Sequence, residues 1–515
     1  MKKHFTRKFM STAALSSLAL GSISLTPVSV VAAEEEKTDI EQAKNVIMMI
    51  GDGMGPAYMT AYRYYTEDPE TQVMEDTVFD PYLTGMQKVY SADPFHDGGE
   101  GDTKENIPDS AATATAMASG VKTYNGAIGV DLDQQETKTV LEAAKEAGKA
   151  TGLVATSQIN HATPAAYGSH DESRRNYNEI ANDYFDNTVN GEHVIDVLLG
   201  GGTDYFVRED RDLTEEFQND DYSYVTSTEE LQADNNDQVL GLFAPVGLDK
   251  AIDRPEEQPS LAQMTEAALD RLSEDEDGFF LMVEGSQIDW AGHDNDVVAA
   301  MSEMEDFAGA FEEVMEFAKE NEDTLVVTTA DHSTGGLSIG RGSAYEWHPE
   351  VIHAAEKTPD YMAALIAEGA DIEDVLRDNI GFELTTEEIQ SVIDAKDNAP
   401  EEELLAEVDN AIEHIFNVRS GTGWTTDGHT GEDVPVYAYG PGSELFNGMI
   451  DNTDNAENIF KIMELATDEN LNGVSVEGEE LADTATNYPL GTLAGIMAIL
   501  MGGALLATRK RKPLQ

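Results

Sequence analysis

Four apolar runs in this chain each lead into a residue that can bind a metal or move a proton. Asn45–Ile50 leads into Gly51-Asp52-Gly53-Met54-Gly55, and Ala150–Ala155 leads into Ser157-Gln158-Ile159-Asn160-His161-Ala162-Thr163. Phe279–Val283 ends at Glu284, and Thr324–Thr329 ends at Ala330-Asp331-His332. Short continuous apolar runs bounded by turns are the pattern of parallel strands buried on both faces. Open α/β sheets collect ligands at the carboxyl ends of such strands, where Asp52 would project. The class expected is therefore α/β. The glycines around Asp52 follow neither a dinucleotide fingerprint nor a P-loop.

A second constraint is Asp109-Ser110-Ala111-Ala112-Thr113-Ala114-Thr115-Ala116-Met117-Ala118-Ser119-Gly120. It reads as a short helix with Asp109 or Ser110 as N-cap and Gly120 closing the C-terminus. The bland interpretation is a capped helix with a small-residue packing face. The functional one places Ser110 where the first helical N–H groups point outward, a position that stabilises an oxyanion and suits a nucleophile.

Further along, Thr137–Ala147 reads as a helix stopped by Gly148, and 194–206 as a strand entering Gly200-Gly201-Gly202. Residues 207–240 read as surface loops and short helices, and 261–273 as an amphipathic helix. His161 is either a loop histidine bonded to backbone or part of a site. In Ser173-Arg174-Arg175 one guanidinium would suit bidentate phosphate binding. Asp289 and His293 are four apart and share a face if helical, which suits Zn²⁺ or a structural ion pair. His429 lies in the Gly/Thr loop Trp424–Gly431, ahead of a strand at Val434–Tyr439.

The 515 residues, 40% of them hydrophobic, suffice for one large α/β domain or two. The formal net charge is -69; each end carries four Lys/Arg and no acid, so residues 34–488 alone carry -77. That surface repels nucleic acid and repels itself, as in a folded halophile-like protein that needs salt. The chain has no Cys, which excludes disulfides and thiolate chemistry.

Residues 1–33 have the basic start, apolar stretch and small-residue Val31-Ala32-Ala33 end of a secretory signal. At the other end, 473–489 is an acidic spacer, 490–508 carries no charge, and 509–515 is a basic tail. The uncharged run is long enough to cross a bilayer with Arg509–Lys512 inside. A wall-sorting signal is the alternative, although Leu-Pro-x-Thr-Gly is absent. The catalytic domain would occupy 34–472, with 350–418 an acidic helical insertion.

Ile50-Gly51-Asp52-Gly53-Met54-Gly55, Asp109-Ser110-Ala111, Val121-Lys122-Thr123-Tyr124-Asn125-Gly126, Val283-Glu284-Gly285, Ala330-Asp331-His332 and Gly428-His429-Thr430-Gly431 occur in the order of the alkaline phosphatases. The sequence resembles that family over about residues 44–340 and 420–465. The resemblance implies a central, largely parallel sheet between helices, a homodimer, and hydrolysis of small-molecule phosphate monoesters through a phosphoserine on Ser110. It implies two Zn²⁺ and one Mg²⁺. Asp289, His293 and His429 would hold the first Zn²⁺, which steadies the leaving alkoxide. Asp331, His332 and Asp52 would hold the second, which activates Ser110. Asp52, Thr163 and Glu284 would hold Mg²⁺, and Arg174 would clamp the phosphate.

Two positions depart from the best-known bacterial pattern. His161 stands for an aspartate and Trp290 for a lysine, both in the shell around Mg²⁺. His161 would offer the metal's waters a neutral acceptor or, at lower pH, a cation. The rival functions are a phosphodiesterase or sulfatase of the same superfamily and a non-catalytic metal-binding surface protein. The sulfatase motif C/S-x-P-x-R is missing around Ser110, and a surface protein gives no reason for Ser110 beside ordered ligand sets.

Overall fold

The computed structural model describes residues 40–465 apart from 69–70 and 93–105. The signal (1–33), spacer (473–489), uncharged run (490–508) and basic tail lie outside the described residues. Among those described, no helix is long and apolar enough to cross a membrane.

A ten-stranded sheet organises the chain. Its strands are β1 (Asn45–Gly51), β2 (Leu83–Lys88), β3 (Ala150–Gln158), β4 (Val197–Gly201) and β5 (Ser223–Val225). They continue with β6 (Val239–Leu242), β7 (Phe279–Gly285), β8 (Thr324–Ala330), β9 (Val434–Tyr439) and β10 (Gly448–Asp451). The spatial order is β10-β2-β9-β8-β1-β7-β3-β4-β6-β5. Only β9 runs against its neighbours β8 and β2; every other pairing is parallel.

Alternation along β1 shows why the sheet needs two covers. Val46, Met48 and Ile50 enter one apolar cluster, Ile47 and Met49 the other, and all five are fully buried. Each such side chain contributes roughly 1.5–3 kcal/mol by leaving water. One face is covered by helices including Leu261–Leu272 and the long Val297–Glu320, which Asp296 caps by accepting from the N–H groups of Val298 and Ala299. The other is covered by helices including Ser110–Ser119, Val140–Glu146 and Thr453–Ile462.

The helix expected over 137–147 starts at Val140, because Thr139 and Glu142 close a capping box there. Residues 207–240 hold the expected short helices but also β5 and the start of β6, which extend the sheet. These strands are three and four residues long, too short to register as apolar runs. The acidic 350–418 stretch is helical, from Pro349–Ile352 through Pro359–Ala367, Ile372–Asn379 and Thr386–Asn398 to Leu404–Ser420. Its Met362, Val375, Val408, Ile412 and Phe416 belong to the same apolar cluster as Ile47 and Phe307.

Candidate active site

Four neighbouring strands, β8, β1, β7 and β3, deliver the charged residues at their carboxyl ends. Gly51 is level with Ala330 on one side and Gly285 on the other. Asp52 therefore emerges beside Asp331 and close to Glu284. The turn after β1 needs Gly53, which has φ +72° and where an added Cβ would lie 2.8 Å from the Asp289 backbone. The Gly53 N–H donates to Asp331 Oδ1 at 3.0 Å.

Ser110 opens its helix directly over this group. Asp109 is the N-cap, its Oδ1 accepting from the Ala112 N–H at 3.0 Å, and Gly120 closes the helix at φ 78°. The Ser110 Oγ is 3.2 Å from His332 Nε2, with both residues buried. The same Nε2 is 3.1 Å from Asp331 Oδ2 and 3.5 Å from Asp52 Oδ1. A serine–histidine–aspartate relay needs the carboxylate on the opposite ring nitrogen from the serine. Here serine and both carboxylates converge on one nitrogen, which is the arrangement of a metal site.

The histidines of the neighbouring loops make the case more strongly. The Gln287–Asp294 helix carries Asp289 and His293 on one face. His429 lies on a two-residue strand that pairs with Ser333–Thr334. His293 Nδ1 is 2.6 Å from the Asp427 carbonyl, and His429 Nδ1 is 2.8 Å from the Pro108 carbonyl. A carbonyl only accepts, so each Nδ1 carries the proton and each neutral ring presents a lone pair at Nε2. Those two Nε2 atoms face each other at 3.2 Å, with Asp289 oxygens 3.4 and 3.6 Å away. Lone pairs and carboxylates converge there without a proton donor unless an imidazole is charged or a cation sits among them.

Electrostatics agree. Burial pushes Asp52 well above the usual carboxylate range, and Asp331, Asp289 and Glu284 add repulsion. Glu284 is pushed up to about 7, mainly by burial. Burial and His332 hold His429 down at about 4. The hydrogen bond to Asp289 lifts His293 to about 9. Burial pushes His332 down, but Asp331 and Asp289 outweigh it. Both oxygens of Asp52, Glu284 Oε1, Asp331 Oδ2 and Thr163 Oγ1 are buried without a hydrogen-bond partner. Unpartnered buried oxygens of this kind fit cation ligands.

Three groups have ligand atoms close enough to share an ion here: Asp289 with His332 and His429, Asp52 with Asp331 and His332, and Asp52 with His161 and Glu284. The site therefore binds metal. In the first group the His332 ring stacks on His429 at 3.6 Å between centroids, and His293 Nε2 approaches the same group at 3.2 Å from His429 Nε2.

Arg174 is held at the rim by two bonds. It donates to Asp109 Oδ2 at 3.0 Å and to His161 Nε2 at 3.1 Å. Burial and Arg174 push His161 down to about 3, so it is a neutral acceptor and not a cation in the range where the site works. Trp290 meets His161 edge-on, with centroids 5.8 Å apart.

A family model described as alkaline phosphatase matches residues 43–465. The chain belongs to the alkaline phosphatase family. It is similar to alkaline phosphatase 3 of Bacillus subtilis, 56% identical over 90% of this chain and 98% of the relative. Alkaline phosphatase 4 of the same organism is 53% identical over 84% of this chain and 91% of the relative. Among solved structures, a cold-active alkaline phosphatase from a Shewanella species is 42% identical, with TM-score 0.73 over 81% of this chain and 99% of that one. The enzyme is a phosphate monoester hydrolase.

Asp109 was visible in the sequence only as a cap; here it also anchors Arg174. Thr334 and Ser286, which bond Asp289 and Glu284 respectively, went unremarked there, although each lies within three residues of a ligand candidate. His293 yields a pH test. In the metal-free protein its raised pKa means that bonding to Asp289 stabilises the fold fully below about pH 6.5 and loses that contribution as pH rises through about 9. A metal ion bound at His293 Nε2 would have to displace that proton, so with His293 as a ligand affinity should rise with pH up to about 9 and binding near pH 8 should release a proton. Calorimetry in buffers of different ionisation enthalpy reads the released proton directly. A pH-independent affinity would rule out His293 as a ligand.

Proposed function

We propose that Ser110 is the nucleophile in phosphate monoester hydrolysis and that the surrounding residues hold three metal ions. The observation that carries this is the convergence of the Ser110 Oγ, His332 Nε2, Asp331 Oδ2 and Asp52 Oδ1 on one point. Asp289, His293 and His429 would hold one Zn²⁺ and Asp331, His332 and Asp52 the other, while Asp52, Thr163 and Glu284 would take Mg²⁺. His161 lies close enough to Asp52 and Glu284 to face the Mg²⁺ directly, with Trp290 behind it. When bound, such ions act as Lewis acids that lower the charge cost of the attacking and leaving oxygens.

The chain's own groups do the rest. Asp109 fixes the Ser110 helix through one oxygen and Arg174 through the other, so nucleophile and clamp share one anchor. Arg174 presents its guanidinium to phosphate oxygens in bidentate geometry. The helix N-terminus adds partial positive charge where the phosphoserine forms. In the step itself, the Ser110 Oγ–P bond forms as the P–O bond to the alcohol breaks; water then cleaves phosphoserine to free serine and inorganic phosphate. Acid quenching during turnover, followed by mass spectrometry, should find phosphate on Ser110. A phosphate on another residue, or none during turnover of a large excess of substrate, would remove this assignment.

Two further readings rest on the sequence. The charge of -77 over residues 34–488 supports a protein stabilised by salt screening. Its melting temperature should climb between low and molar NaCl; a flat or falling curve would end that reading. The N-terminal signal and the uncharged C-terminal run support export followed by retention at the membrane or wall. Deleting 490–515 should release active enzyme to the medium, whereas a full-length protein already free in the medium would show that the run is no anchor. A homodimer remains the expected assembly, and light scattering at the mass of one chain would exclude it.

A further inference from the structure

A second group of carboxylates converges where the metal-ligand helix meets the acidic insertion. Asp294 ends Gln287–Asp294, Asp360 lies in the first turn of Pro359–Ala367, and Asp409 lies in Leu404–Ser420. One oxygen from each lies within 4.8 Å of the others. Glu413 follows Asp409 by one helical turn, and Asp296 follows Asp294 by two residues. Like charges held this closely repel one another, and although Asp294 is exposed, Asp409 and Glu413 are buried away from the water that would screen them.

The independent observation is that two of the buried oxygens have no partner. Asp409 is 5% exposed and Glu413 4%, yet Asp409 Oδ1 and Glu413 Oε1 accept no hydrogen bond. Lys250 is the ammonium that acts on this group, but its Nζ is itself buried and bonds to none of these oxygens. One ammonium does not balance five carboxylates. Burial and these neighbours push Asp409 up to about 9 and Glu413 up to about 11, so in the absence of a cation the cluster has to take up protons.

We propose that this junction is a structural site for one hard divalent cation of Ca²⁺ size, ligated by Asp294, Asp360 and Asp409 with Glu413 beside them. Ca²⁺ takes about six to eight oxygens, several of them carboxylates, in flexible geometry, whereas Mg²⁺ keeps several waters and takes about one or two carboxylates. Three carboxylates within 4.8 Å of one another, with Glu413 one helical turn from Asp409, suit the former. Asp294 and Glu413 also line an open cavity of about 680 Å³, so one edge of the cluster is reached from solvent. The three ligands come from three helices, so the cation ties the insertion to the helix that carries Asp289 and His293. This site is separate from the catalytic ions and does not depend on their assignment.

The test uses the full chain loaded with Zn²⁺ and Mg²⁺ in calcium-depleted buffer, titrated with CaCl₂ by calorimetry and by thermal unfolding. One Ca²⁺ per chain is expected beyond the catalytic metals, with a dissociation constant in the range of about 10⁻⁵–10⁻³ M, and a rise of several degrees in melting temperature. In Asp409→Asn the affinity should fall at least tenfold. The sign of that variant's stability should also invert: above wild type without Ca²⁺, because a repulsion is gone, and below it in millimolar Ca²⁺. Asp360→Asn, at a less buried position, keeps the test open if Asp409→Asn does not fold. No Ca²⁺ uptake by the wild type would overturn the proposal. So would an equal rise in wild type and variant, since that is charge screening and not a site.

Discussion

Replacing Ser110 with alanine should remove most turnover, by roughly 10³-fold or more, while leaving metal content close to that of the wild type. The size follows from what is lost. Without the hydroxyl no covalent phosphoserine forms, and hydrolysis must go by direct attack of water on the bound ester. Arg174, the helix N-terminus and the bound metals still bind phosphate and stabilise charge, so the residue of activity should not fall to the uncatalysed rate. Metal content should hold because Asp52, Asp331 and His332 surround the same point without help from the serine. Helix structure should also persist, since the cap is made by the Asp109 side chain and not by Ser110. Turnover measured beside metal analysis separates the possibilities. Near-normal turnover in Ser110→Ala would mean that another group attacks the phosphate.

Asp52→Asn should have the second large effect, with opposite signs in the two metal states. Both Asp52 oxygens are buried without a hydrogen-bond partner, beside Asp331, Asp289 and Glu284. With metal bound, losing a direct ligand should cost more than the roughly 10–100-fold in affinity typical of outer-shell changes, and activity should fall with it. With metal removed, the same carboxylate is a liability. Its folded pKa is raised, so the metal-free protein holds a proton that the unfolded chain has released. Its stability must therefore fall as pH rises above the unfolded value of about 4. Glu284, pushed up to about 7, acts in the same direction. An amide at position 52 removes one of these liabilities, and the metal-free variant should be more stable than metal-free wild type at pH 8. Thermal unfolding of chelated and reloaded proteins across pH 5–8 reads both signs. If Asp52→Asn destabilises the metal-free protein, the carboxylate has a structural partner and is no vacant ligand.

Much of this was legible in the chain. The four central strands announce themselves because they are buried on both faces, and burial on both faces leaves an unbroken apolar run. β9 was equally plain, and it occupies Val434–Tyr439. β2, β5, β6 and β10 were not visible, because short or partly exposed strands near a sheet edge carry mixed residues such as Leu83-Thr84-Gly85-Met86. The N-cap of the serine helix was open between Asp109 and Ser110. Only the backbone decides it, with Asp109 extended at φ -98°, ψ 168° and Ser110 already helical.

The site divides along the same line. The candidate ligands and nucleophile were legible in the sequence, because such groups need particular side chains at strand ends and in a helix-capping sequence. How they meet was decided by the tertiary structure. The parallel register that sets Gly51 level with Ala330 and Gly285 brings Asp52 beside Asp331, although 278 residues separate Gly53 from Asp331 in the chain. No local pattern encodes that His161 bonds Arg174, that His293 and His429 turn their Nε2 atoms on each other, or that the insertion's carboxylates face Asp294. These are contacts between distant segments, and they exist only because packing two apolar faces onto one twisted sheet leaves each loop a single place to go.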